Sequence, residues 1–170
     1  MKTRYTYIIT VLLLAVSFLS SCERDDPEVE MTAIGNMAGE WYVTHKVETS
    51  PGVFEDVFGV GYVTILTYNT SENTADFMFV DDLGHFWEYK TLVDVSPTDK
   101  SFSAPDGENL YYDSDGVSIN NGKIIIGGGE SRTGVKTDSI YYEVSFGDDD
   151  EGFTYIVSGH RRTGFAEDEF

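Results

Sequence analysis

From Ala38 almost to the end of the chain, apolar and polar side chains alternate with a period of two in short segments, each cut off by Gly, Asn or Asp. That period puts successive side chains on opposite faces of an extended strand, and almost no segment keeps the spacing of a helix. An all-β fold follows. In Trp41–Val47 one face carries Trp41, Val43 and Val47 and the other Tyr42, Thr44 and Lys46, the pattern of a half-buried strand. Tyr62–Tyr68 and Ala75–Val80 read as the next two strands, joined by a turn at Asn69–Asn73. In Phe86–Val95, Trp87, Tyr89, Thr91 and Val93 form an uncharged face predicted to point inward.

The second half continues in the same way. A short extended piece, Ser101–Ala104, lies between Pro97 and Pro105. Val117–Ile119 and Lys123–Ile126 flank Asn120-Asn121-Gly122, and Asn-Gly predicts a hairpin because both central turn positions need positive φ. Gly127 to Lys136 reads as a loop, and Ser139–Phe146 and Phe153–Thr163 flank an acidic turn at 147–152. About eight strands at meander spacing leave two unpaired edges unless the sheet closes, and eight strands make a barrel that side chains can fill or that can hold one small ligand. The expected architecture is an antiparallel up-and-down barrel of about eight strands, with Met31–Met37 as a short helical turn at its base. An open two-sheet sandwich is the alternative.

Ahead of the strands, Lys2 and Arg4 precede an apolar run from Ile8 to Leu19, then Leu19-Ser20-Ser21-Cys22 and polar sequence. The run is about a dozen residues, the length of a signal-peptide core and short of the ~20 that span a bilayer. The pattern resembles the export signal of bacterial lipoproteins, which implies cleavage before Cys22 and acylation of that cysteine. Several acyl chains at ~0.8 kcal/mol per buried methylene make a stable membrane anchor. The acidic stretch from Glu23 to Glu28 resembles the tether of surface-exposed lipoproteins in Bacteroidota-type cells, which implies the outer membrane, facing outward. The organisation expected is a signal peptide at 1–21, the lipidated cysteine and tether at 22–35, and a barrel domain at 36–170. Cys22 is the sole cysteine, so no intrachain disulfide can supplement the core.

Without the signal peptide the chain carries thirty acidic against nine basic residues, a net charge of −21. Phosphate backbones are bound by clustered Lys and Arg, so nucleic acid is excluded as a partner, as is docking through a basic patch on anionic lipid. The roughly 150 residues that remain are enough for one domain with one core. His45, His85 and His160 are far apart, with no His-x-x-x-His spacing, so neither zinc nor another cofactor is expected. Asp113-Ser114-Asp115-Gly116 opens like a calcium loop, but the twelfth position is Ile124, and the stretch reads as an Asx-rich turn.

Gly39-Glu40-Trp41, at the start of the first strand, resembles the Gly-x-Trp signature of lipocalin and calycin barrels. In those families an Arg from the last strands packs over the Trp. Gly159-His160-Arg161-Arg162-Thr163-Gly164 stands in the last predicted strand, and Arg161 shares a face with Phe153, Tyr155 and Val157, so Arg161 is expected to stack on Trp41. Together with the Cys22 signal and the acidic close at Glu167–Glu169, these ends are similar to the Bacteroidota family described as lipid-binding putative hydrolase. The resemblance implies a calycin-like barrel on a surface lipoprotein and transfers no catalytic residues.

The residues themselves assemble no catalytic motif. Gly-x-Ser-x-Gly is absent, and Ser158 and His160, two apart on one strand, merely share a face. No catalytic residue is assigned. Two Trp, eleven Tyr and eleven Phe instead suit either a filled core or an apolar ligand cavity, for which Trp41, Trp87, Tyr89, Tyr142 and Tyr155 are the lining candidates by parity. The leading expectation is a lipid-anchored module that binds a lipid or small hydrophobic ligand. An accessory subunit of an outer-membrane nutrient-uptake complex, taking glycan or peptide, is the second, and a hydrolase the third.

Overall fold

The structure is a computed structural model that describes residues 31–170. Its strands are β1 (Gly39–Ser50), β2 (Val53–Glu55), β3 (Val63–Asn69), β4 (Phe77–Asp81), β5 (Lys90–Ser96), β6 (Ser101–Gly107), β7 (Val117–Glu130), β8 (Lys136–Phe146) and β9 (Tyr155–Arg161). From β3 onward each strand pairs antiparallel with the next. The first half of β1 pairs with β3 and the opposite edge of β1 pairs with β9, so eight strands close on themselves. β2 is a short flap on the far end of β1. The fold is therefore the closed antiparallel barrel expected from the alternation, and the open sandwich is ruled out.

Closure runs from Trp41 opposite Arg161 to Val47 opposite Tyr155. One residue makes the approach possible. A Cβ on Gly159 would run into the backbone carbonyl of Tyr42, so any larger residue would push β9 off β1. Along β1, Trp41, Val43, His45 and Val47 are buried; Thr91 and Val93 on β5, Ile140, Tyr142, Val144 and Phe146 on β8, and Tyr155 and Val157 on β9 meet them inside. Each fully buried aliphatic or aromatic side chain of this kind contributes about 1.5–3 kcal/mol.

We call the end where β1 starts the base and the end where it finishes the mouth. At the base, successive tight turns at 33–37 bring Ile34 and Met37 fully into the core. They are held by Gly35 N–H donating to the Thr32 carbonyl and Met37 N–H to the Ile34 carbonyl, with one longer Ala38-to-Ile34 bond. The expected helical turn is thus a run of tight turns, and the core reaches into the segment expected as tether. The Trp41 indole donates to Thr67 Oγ1 (2.9 Å), which donates to the Met37 carbonyl (2.7 Å), so the buried polar atoms of this plug are paired. Residues 1–30, including Cys22, lie outside the described residues.

Two local expectations are corrected. Val117–Ile119 and Lys123–Ile126 are not two arms of a hairpin but one strand, β7, which also takes in the glycines at 127–129. Asn121 does adopt positive φ (55°), but it does so in a bulge: Asn120 to Lys123 spans three steps where Glu143 to Tyr141 on β8 spans two. The extra residue moves the inward positions from Val117 and Ile119 to Gly122 and Ile124. Phe86–Val95 is likewise not one strand. β5 starts at Lys90, and the preceding four residues are folded into the mouth for a reason given below.

Candidate functional site

Three loops at the mouth are each wound around an aspartate. Asp82, fully buried just after β4, accepts five backbone N–H groups: Gly84 and Tyr89 on Oδ1, Phe86, Trp87 and Glu88 on Oδ2, at 2.9–3.1 Å. Collecting those amides forces Leu83 and Glu88 to positive φ and breaks the strand that the alternation of 86–95 predicts. Asp56 accepts from Gly61 N–H at 2.7 Å. Burial pushes its carboxyl up, but the N–H groups of Gly61, Val60, Gly59 and Phe58 outweigh this and hold it below the usual range. Asp149 accepts from Glu151 and Phe153 N–H and from the Tyr155 hydroxyl (2.9 Å).

What the loops carry is aromatic. Phe86 stacks flat on the His45 ring, with centroids 4.0 Å apart and planes 13° apart, and meets Tyr155 edge-on at 5.0 Å. Trp87 stacks on Phe146 at 4.8 Å, and its indole N–H donates to Asp148 (3.0 Å), which also accepts from the Tyr112 hydroxyl (2.9 Å). Phe58, 55% exposed, lies 6.0 Å from Phe86 and 6.2 Å from Tyr155. Around it Val53, Phe54, Val57 and Val60 are also exposed. Gly59 and Gly61 of this loop have positive φ and open space where a Cβ would stand, so this part of the loop faces outward.

His45 is the floor of this stack. It is 2% exposed, and among the described residues neither ring nitrogen has a hydrogen-bond partner. Burial lowers its pKa to about 4 against a small upward pull from Asp56, so the ring is neutral at physiological pH. A desolvated neutral imidazole without partners is costly to bury, and it lies just beneath an exposed loop.

The five candidate lining residues are placed as follows. Trp41, Tyr89, Tyr142 and Tyr155 point into the barrel and have at most 1% of their surface accessible, so no water-sized void touches them. They pack the core. Tyr89 and Tyr142 join hydroxyl to hydroxyl at 2.5 Å, and burial raises the pKa of both. Trp87 is half-buried and belongs to the mouth. At the base, the Arg161 guanidinium carbon lies 4.4 Å from the Trp41 ring centroid; Nη1 donates to the Ala38 carbonyl (2.5 Å) and Nε to Asp138 (3.2 Å). His45, Phe58, Phe86 and the three loop aspartates are not among these sequence-derived lining candidates. For His45 the signal existed, since it shares the parity of Trp41, Val43 and Val47.

Ser158 and His160 lie on the outward face of β9, where His160 is packed among the rings of Tyr42, Tyr62 and Phe170. Among the described residues, no group of three His, Cys, Asp or Glu converges to hold a metal ion.

The profile of one protein family, described as lipid-binding putative hydrolase, matches residues 26–166, which includes the whole barrel. The chain belongs to that family. No curated protein matches it in sequence. The family's description gives lipid binding a prior that the geometry can be weighed against. The interior is packed, with its large side chains fully buried, whereas the mouth offers exposed apolar side chains on a loop above a buried polar ring. Membership and the barrel fold together support a lipid-binding module, and they direct attention to its mouth.

Proposed function

We propose that this chain binds an acyl lipid at the barrel mouth, between the loop 56–62 and the aromatic residues Phe86 and Trp87, while Cys22 carries the lipid anchor that holds the barrel on the outer face of the outer membrane. The observation that carries the binding reading is the juxtaposition of exposed Phe58 with Phe86 and the unpartnered, buried His45. Phe58 and Phe86 seal the floor without a ligand, and a chain laid along the loop takes the place of their mutual contacts. The full-length chain with Cys22→Ser should show saturable quenching of tryptophan emission by acyl amphiphiles, lost in Trp87→Phe. Silence across neutral, anionic and cationic amphiphiles would end this reading. Labelling of the unmodified chain by radioactive palmitate, abolished in Cys22→Ser, tests the anchor.

The filled barrel favours a second reading, in which only the outer surface acts and the protein is an accessory subunit of a nutrient-uptake complex. Copurification of the full chain with an outer-membrane transporter, undisturbed by Phe58→Asp, would support it over the first.

A further inference from the structure

The basic residues of the barrel are concentrated towards its base. The four loops around the mouth, 51–62, 82–89, 108–116 and 147–154, carry eleven Asp and Glu and no Lys or Arg. Of the eight Lys and Arg among the described residues, six lie in the base half: Lys100, Lys123, Arg132, Lys136, Arg161 and Arg162. The two remaining cations, Lys46 and Lys90, stand on outward-facing positions of β1 and β5, Lys90 over the rings of Tyr68 and Phe79, so a carboxylate or phosphate head inside the mouth meets the acidic loops alone. Each like charge at 4 Å opposes it by about 1 kcal/mol in water and about 4 kcal/mol where the surroundings are partly dry. These are strong terms against an anionic lipid.

The floor adds a second selection. His45, 98% buried and unpartnered on both nitrogens, is neutral, and a neutral imidazole is one donor and one acceptor. The Asp56 carboxylate, held by the N–H groups of its own loop, lies near enough to act on the His45 ring and is a further acceptor. A hydroxyl can give and receive a hydrogen bond and so complements such a site. A carboxylate only accepts, and a quaternary ammonium does neither. We infer that the lipid taken at this mouth is an acyl chain with an uncharged, hydroxyl-bearing head, the hydroxyl pairing with His45 and the chain lying along Val53, Phe54, Val57 and Phe58. The inference rests on the lipid-binding reading above and narrows it to one head-group class.

Three amphiphiles with the same fourteen-carbon chain separate the possibilities: monomyristoylglycerol, myristate and tetradecyltrimethylammonium, each titrated calorimetrically into the full-length Cys22→Ser chain at pH 7 and low salt. Monomyristoylglycerol should bind at least about tenfold tighter than either charged analogue, and His45→Phe, which keeps an aromatic ring against Phe86, should remove most of that advantage. Asp150→Lys with Glu151→Lys, both on an exposed turn, should raise myristate affinity whether or not His45→Phe folds. Equal or tighter binding of myristate, or tightest binding of the ammonium with no effect of His45→Phe, would overturn the head-group inference and leave lipid binding standing. Failure of all three to bind would remove lipid binding itself, and the inference with it.

Discussion

The guanidinium of Arg161 fills the volume that a side chain on Gly39 would need: a Cβ built there meets Nη1 first, then Cζ, with the Trp41 ring just beyond. Gly39, Trp41 and Arg161 are thus one unit in which the glycine makes room, the indole supplies the π face and the cation closes the base.

Gly39→Ala should therefore cost about as much as Arg161→Ala, roughly 1–3 kcal/mol each, because the alanine expels the guanidinium from its place over the indole. The double variant should lose far less than the two single losses added, since the second change finds the contact already gone. Urea unfolding of the four proteins checks this. Additive losses would mean that Gly39 acts through the backbone and not through Arg161.

Asp82 organises the mouth through five amides, so its removal leaves several buried N–H groups without acceptors. Charge-assisted bonds of this kind are worth about 1.5–3 kcal/mol each but share one carboxylate, and Asp82→Ala should cost about 3–5 kcal/mol. Asp82→Asn keeps one acceptor oxygen and should lose about half as much. Release of Trp87 from Phe146 and Asp148 should also shift tryptophan emission to the red in Asp82→Ala at temperatures where the barrel is still folded.

His45 gives the protein a pH dependence of definite sign. Its folded pKa, about 4, lies below the unfolded value of 6.5, so between these limits the unfolded chain holds a proton that the folded chain does not. Stability attributable to the neutral ring is complete above pH 6.5 and falls as pH drops towards 4, by about 1.4 kcal/mol per pH unit and about 3 kcal/mol in all. His160 is shifted downward as well, by burial, and adds a slope of the same sign. Wild type minus His45→Phe isolates the His45 part: unfolding free energies of the two should diverge from pH 4 to 6.5 and run parallel above it.

Periodicity made the barrel legible because inward and outward positions differ in polarity along β1, β5, β8 and β9, and closure follows from counting hairpins. The base was legible for the same reason: parity alone puts Arg161 on the face of Tyr155 and Val157, opposite Trp41. What alternation cannot register is a side chain that rewrites the backbone. Asp82 sits one residue before an ordinary turn sequence, yet its carboxylate takes the amides of 84 and 86–89 out of the strand pattern and carries Phe86 and Trp87 into the mouth. Of the two positive-φ positions that Asn121-Gly122 implied, only Asn121 takes that conformation, which serves a bulge as well as a hairpin. The choice of a bulge depends on pairing with β6 and β8, where a Cβ on Gly122 would strike the ring and carbonyl of Phe102.

Tyr89, the residue before β5, and Tyr142 on β8 reach each other, and among the described residues no other side-chain partner holds either hydroxyl. Tyr89→Phe removes one hydroxyl and strands the other in a core without water, as does Tyr142→Phe, so each should cost about 1–3 kcal/mol. Changing both removes the pair together, leaves two Phe rings of nearly the same shape, and should cost less than either single change plus about 1 kcal/mol. Thermal unfolding of the cycle measures the coupling. If an acyl chain entered the barrel instead of stopping at the mouth, the double variant would have a more apolar interior and would bind monomyristoylglycerol more tightly. With the acyl chain held along the loop at the mouth, its affinity should match that of the parent chain.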